Sequence, residues 1–145
     1  MGNLSEHYNH KDFACRCGDC KGDIKVHLGL VGALEQIGYQ YKRTPRIVEA
    51  YRCEIYGDKH NMLKKNAHRM GKAAHIYVEG VPLPELYKFV CTIPEIRGIG
   101  VYPKENFLHI DTRTLDKEEL REEWYHEGEK NLPLTAEAKA KFNLT

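Results

Sequence analysis

The sequence predicts an α+β domain, a small antiparallel sheet flanked by helices. Three observations lead there. Apolar side chains recur at helical spacing over residues 25–38. Two short runs, Gly98–Tyr102 and Phe107–Thr112, read as strands joined by the turn-forming segment Pro103-Lys104-Glu105-Asn106. No repeat or low-complexity linker interrupts the 145 residues, which is about the length of one domain.

Taken in order, residues 1–24 are polar and turn-rich, with Phe13 as an anchor. Val26, Leu30, Val31, Leu34 and Ile37 mark a helix, with Gly38 as its expected terminator. Residues 46–51 form a β-branched run bounded by Pro45. From Arg52 to Lys72 the apolar content falls, which predicts a long loop with room for a short helix, and loops of that length tend to be functional. Ala74–Val78 reads as a strand and Pro84–Cys91 as a helix with proline in its first turn. Asp116 and Glu119 match a capping box for another helix, stapled by Leu115 and Leu120, and Thr135 can cap a last one. The expected organisation is a single domain over 1–145. Its core spans about 4–127, followed by a C-terminal helical tail, 128–145; the stretch from Lys117 to Thr145 is expected to pack through Leu120 and Trp124 and to carry no chemistry.

Composition narrows the function. Charged residues make up 30% and hydrophobic ones 41%, ordinary for a globular protein. A formal net charge of +1 provides no global field for nucleic acid or an anionic membrane, so neither is an expected partner. The local basic cluster Lys64, Lys65, Arg69 and Lys72 reads as a solvated rim. No run approaches the roughly 18 apolar residues that span a bilayer. The first ten residues lack the apolar core of a signal peptide, and Glu6 stands where a myristoylation signal has Ser or Thr. Cytoplasmic synthesis is the expectation.

Five cysteines are an odd number, and three crowd into Cys15-Arg16-Cys17-Gly18-Asp19-Cys20. Without an export signal a disulfide scaffold is not expected. Two readings remain: a knuckle holding a second metal ion through Cys15, Cys17 and Cys20, with a fourth ligand from His10, Cys53 or Cys91, or reduced cysteines in a tight turn.

Of the eight histidines, His7, His10, His27 and His126 lack a partner pattern and read as surface or packing residues. His68, His75 and His109 differ in context. His68 closes the polar loop, and Gly71, Ala73 and Ala74 leave room for close packing before His75 on its strand. His109 alternates with Leu108 and Ile110, so it shares a face with Asp111, expected against the core. Burying these groups is costly, and a divalent ion resolves the cost. Three protein ligands leave a fourth position open for water, as in catalytic zinc sites. Asp111 then suits a general base and Arg52 a cation that holds a substrate carboxylate.

At these residues the sequence resembles the zinc D-alanyl-D-alanine carboxypeptidase and murein endopeptidase family, in its phage and bacterial branch. Leu4-Ser5-Glu6-His7-Tyr8 with Asp12-Phe13-Ala14-Cys15-Arg16-Cys17 is similar to that branch's N-terminal segment. Ala50-Tyr51-Arg52-Cys53 resembles its Gly-Tyr-Arg-Ser element, and 66–76 its Ser-x-His-x-x-Gly-x-Ala-x-Asp element. Gly98 to Pro103 and Phe107 to Arg113 resemble its closing strands.

The resemblance implies a hedgehog/DD-peptidase-like fold and one catalytic zinc at His68, His75 and His109. It also implies hydrolysis of bacterial cell-wall peptide bonds through metal-bound water, with peptidoglycan peptide as substrate. Arg52 would bind or polarise that substrate. A phage or prophage lysin reaching the wall after release would fit cytoplasmic synthesis. Three positions depart from the pattern: His75 replaces the usual Asp ligand, Asn66 a hydroxyl, and Asn106 the catalytic Glu of many relatives. Asp111 is therefore the candidate base, with Glu105 behind it. Asp111 is also an alternative ligand that would move His109 to a supporting role. A fold that keeps its shape without catalysis, as a metal-binding or wall-peptide-binding domain, is the competing implication.

Overall fold

The computed structural model describes residues 2–115 and 121–145. In chain order the elements are α1 (Leu28–Tyr41), β1 (Arg46–Glu49), α2 (Glu54–Lys59), β2 (Ala73–Tyr77), α3 (Leu83–Val90), β3 (Gly98–Tyr102), β4 (Phe107–Asp111), β5 (Glu122–Glu127), β6 (Lys130–Pro133) and α4 (Ala136–Lys141). The strands make one sheet in the order β1-β2-β4-β3-β5-β6. All neighbours are antiparallel except β3 and β5. The expected α+β class is what the chain adopts.

Alternation along the strands divides the sheet into two faces. One row, Ile47, Ile76, Leu108, Val101 and Tyr125, is paired strand to strand. With Ala74, Ile99 and Ile110 it packs against Leu30, Leu34 and Ile37 of α1 and Leu86 and Val90 of α3. The next row, Glu49, His75, His109, Gly100, Trp124 and Pro133, runs across all six strands on the opposite face. His109 and Asp111 do share a face, as expected, but it is this second face and not the one that meets the helices.

Several expectations need correction. Helix α1 runs through Gly38 and ends at Lys42, whose φ of +54° is left-handed. The Arg43 and Lys42 amides both return to the Gly38 carbonyl, so glycine sits inside the last turn and not after it. Arg69 is no rim residue. Its guanidinium is buried, donates to the Met62 carbonyl and to Asp58, and packs beneath Gly57, where a Cβ would lie 2.5 Å from it. It braces the 54–71 loop from inside. Residues 122–133, expected to carry no chemistry, form a hairpin turned at Gly128 (φ +65°) that extends the sheet. The helix expected to open at Asp116 lies outside the described residues. Thr135 caps α4 by accepting the Ala138 amide at 3.2 Å. No helix among the described residues is long and apolar enough to cross a membrane.

Candidate metal centre and active-site cleft

Three segments deliver the three imidazoles. His75 and His109 are directly paired partners on β2 and β4. His68 comes from the loop after α2, where its amide donates to the Asn66 side chain at 2.9 Å and its carbonyl accepts the Arg52 amide at 3.1 Å. Asn66 thus serves as a local acceptor that shapes the turn. His68 Nε2 lies 3.3 Å from His75 Nε2 and 3.2 Å from His109 Nδ1. All three side chains are buried.

Their protonation is set by what stands behind them. Burial drives the imidazoles of His68, His75 and His109 toward the neutral form, His75 down to about 2, with the neighbouring histidines and Arg52 adding to the effect for His68 and His75. His68 Nδ1 sits 2.7 Å from the Ala50 carbonyl, which can only accept, so the proton is on Nδ1 and Nε2 carries a lone pair. His109 Nε2 sits 2.7 Å from Asp111, which puts its proton there and a lone pair on Nδ1. The 3.2 Å contact between His68 and His109 therefore sets two lone pairs face to face. His75 can donate to His68, but no proton is available for the third edge. A cation among the three nitrogens removes this conflict. Tetrahedral zinc with bonds of about 2.0–2.1 Å to imidazole holds its ligand atoms about 3.3–3.4 Å apart, close to the two separations found.

Asp111 is fully buried behind His109 and does not line the cleft. Its oxygens accept from His109 Nε2, from the Arg113 amide at 3.0 Å and from the Arg113 guanidinium at 2.7–3.1 Å. Burial pushes its carboxyl up, but the His109 and Arg113 hydrogen bonds outweigh it and hold the group well below the usual carboxylate range. With its lone pairs occupied and His109 between it and the other imidazoles, Asp111 is placed neither as a base facing substrate nor as a ligand. Its position orients an imidazole.

Arg52 does reach the cleft. Its Nε donates to Glu49, and the guanidinium lies over the Tyr56 ring, 5.7 Å from the centroid. Asn106 does not reach it: its φ of +60° closes the β3–β4 turn, a backbone role that asparagine tolerates well. Glu105 is exposed in the same turn and is absent from the cleft lining.

The cleft measures about 630 Å³. One side is formed by Arg52, Asn66 and Ala67, the other by Glu122, Glu123, Trp124, Leu132 and Pro133. Trp124 was expected only to pack the tail, yet its ring centroid lies 4.8 Å from that of His109, and Arg113 stacks over it at 5.2 Å. Its indole N–H is buried without a hydrogen-bond partner. Burial pushes the nearby Tyr102 hydroxyl up, with the Trp124 side chain and Arg52 opposing it. Gly98-Ile99-Gly100 held the sequence signal: a Cβ at Gly100 would lie 2.5 Å from the indole nitrogen, and one at Gly98 would lie 2.2 Å from the Asp111 carboxylate. Two alternate glycines in a strand mark a close approach on one face.

The expected Cys15–Cys20 cluster gains a fourth member. Cys53 joins Cys15, Cys17 and Cys20, with all four sulfurs within 4.8 Å of one another. His10 instead meets Asn3, and Cys91 belongs to the far side of α3 near Tyr87. Both the histidine and the cysteine clusters have the donor chemistry to hold a metal ion.

A cleft floored by three buried imidazoles, one backed by a buried carboxylate, on a small α+β sheet defines a domain with the donor set of an open metal site. The chain belongs to the peptidase family Peptidase_M15_2, whose sequence model is described as peptidoglycan L,D-endopeptidase MepK and matches residues 28–117. Among curated proteins it is similar to the peptidoglycan L,D-endopeptidase MepK of Escherichia coli strain K12 and to that of Shigella flexneri, each 29% identical over 76 residues. The match covers 49% of this chain and 41% of each relative, so the chain spans less than half of their length. No solved structure matches.

Proposed function

We propose that this domain is a zinc-dependent peptidase that hydrolyses peptide bonds of bacterial cell-wall peptides, with His68, His75 and His109 as ligands. The single observation that carries it is the confrontation of the His68 and His109 lone pairs at the floor of an open cleft. The names of its relatives point to the L,D-type linkage within peptidoglycan as the bond to test first.

When bound, zinc would polarise the scissile carbonyl and lower the pKa of water at its open position. The residues supply the rest. Asp111, held by Arg113, fixes the His109 tautomer so that Nδ1 faces inward. The Ala50 carbonyl does the same for His68. Arg52 lines the cleft with its Nε edge held by Glu49, and its guanidinium would take a substrate carboxylate or carbonyl. Trp124 and Pro133 present an apolar wall against which a peptide can lie.

A second reading, a domain that binds wall peptide without cutting it, is favoured by one observation. Among the described residues, the cleft carboxylates are engaged: Glu122 with Arg113, and Glu123 with Tyr87 and Lys139. Zinc-loaded protein incubated with purified muropeptides distinguishes the two by mass spectrometry of the products. The peptidase reading expects cleavage that is lost in His68→Ala and on chelation and is restored by zinc. Retained zinc with intact muropeptides would leave only the binding domain.

A further inference from the structure

We propose that Cys15, Cys17, Cys20 and Cys53 form a second, closed metal site, a structural zinc centre that fastens the N-terminal segment to the corner carrying Arg52. It is independent of the reading given to the histidine cluster.

Cys17 Sγ lies 3.7 Å from Cys20 Sγ and 3.6 Å from Cys53 Sγ. Tetrahedral zinc with bonds of about 2.3 Å to thiolate sets its sulfurs about 3.8 Å apart. The separations far exceed a disulfide bond of about 2.05 Å, and all four cysteines are free. Close packing of thiols alone would meet the distance criterion, so the surroundings decide.

Every one of the four sulfurs accepts a backbone amide at 3.4 Å: Cys17 from Asp19, Cys20 from Asp23, Cys15 from Cys53 and Cys53 from Tyr56. The turns that aim these amides need left-handed residues, and they have them. Gly18 (φ +84°) precedes Asp19, and Lys21 (φ +56°) with Gly22 (φ +81°) precedes Asp23. One amide at each sulfur favours its thiolate form, and a cation among the four would offset the repulsion of thiolates packed within 4.8 Å of one another. The soft, all-sulfur donor set selects zinc over magnesium or calcium.

Among the described residues, the segment's other ties include the Arg16 guanidinium on the Val48 carbonyl and the packing of Val26 against the main core. The described chain between the short helical turn ending at Phe13 and the start of α1 has no regular secondary structure. Among described residues, the cysteines' own apolar cluster adds only Tyr51 and Tyr56 to the thiols. Two backbone bonds, Cys15 N to Asp23 O and Tyr51 N to Phe13 O, tie the segment to itself and to the sheet edge. Metal ligation supplies what so small an apolar cluster does not. Cys53 also caps α2 and directly follows Arg52, so the ion would anchor the backbone that presents the arginine and the Ala50 carbonyl behind His68.

Cobalt(II) tests the site, because cobalt bound to thiolates gives intense near-ultraviolet charge-transfer absorption that an imidazole site does not. The reduced full-length protein loaded with cobalt should show this band, and His68→Ala should keep it while losing one metal equivalent. Cys17→Ser, at a half-exposed position, should lose most of the band and also one equivalent. Should that variant not fold, thiol counting on the wild type decides. The metal-loaded protein should expose one of its five thiols to a small alkylating reagent, Cys91, with the other four protected until the metal is removed. A cobalt-loaded wild type without the charge-transfer band overturns the proposal, as does equal reactivity of all five thiols with and without metal. Either result leaves the histidine site standing, since its metal equivalent is read separately.

Discussion

His68, His75 and His109 are delivered mostly by regular structure, whereas Cys15, Cys17, Cys20 and Cys53 come almost wholly from turns. Two of the imidazoles are paired residues of neighbouring strands, so hydrogen bonds of the sheet fix their separation before any ligand arrives. The cysteines have no such frame, and their geometry rests on left-handed turn residues and amide-to-sulfur bonds. The histidine cluster opens onto a cleft, while Cys15 and Cys53 are buried and all four cysteine positions are filled by protein. The contrast bears on what each cluster could do with a metal ion. A scaffold that holds its shape alone can leave a coordination position empty for substrate. A loop that needs its ion must close around it.

Chelation breaks this comparison most directly. A small chelator such as EDTA should strip the open histidine site first, leaving one metal equivalent and the cobalt-thiolate spectrum of the cysteines intact. Simultaneous loss of both would show that the sites are not built differently. His68→Ala should likewise remove the whole of one equivalent and all muropeptide cleavage, with little change in far-ultraviolet circular dichroism.

Asp111→Asn sharpens the account of the supporting carboxylate. It preserves size and an acceptor for His109 but removes the charge, and loss of such a partner lowers metal affinity about 10–100-fold. Competition with a zinc indicator should show that weakening for the histidine equivalent alone. Gly100→Ala pushes a methyl toward the Trp124 indole. Overpacking of this kind costs about 1–3 kcal/mol, measurable by urea denaturation, and the cysteine site should be indifferent to it. The smallest effect belongs to Thr135→Ala, far from either cluster. Loss of that cap should cost about 1 kcal/mol with metal content unchanged, and altered metal content would mean that α4 is coupled to the sites.

Much of this was legible beforehand, for physical reasons that can be named. Strand β4 could be read because Leu108 and Ile110 alternate with His109 and Asp111, and β3 because Ile99 and Val101 alternate with small residues. The three histidines were legible for the same reason, since strand period and a polar loop placed them together. His109 and Asp111 were read on one shared face, but sequence could not show that this face lies away from the helices or that Arg113 doubles back onto the carboxylate. The β5–β6 hairpin was missed: Glu122-Glu123-Trp124-Tyr125-His126-Glu127 has little apolar alternation, and it pairs in parallel with β3, each residue meeting one 24 positions upstream. Glu127-Gly128-Glu129 was the available turn signal. Cys53 entered only as one of three choices for the fourth ligand, since it lies 33 positions after Cys20 and only the folded chain closes that gap.

The hairpin has one more consequence. The family match ends at residue 117, after all three imidazoles, Arg52 and Asp111. Trp124, Leu132 and Pro133, which wall the cleft, come after it. The cleft is therefore like a vice with one jaw inside the family match and one outside it. Grafting a different 122–133 hairpin onto the same floor would test whether the outer jaw selects what enters.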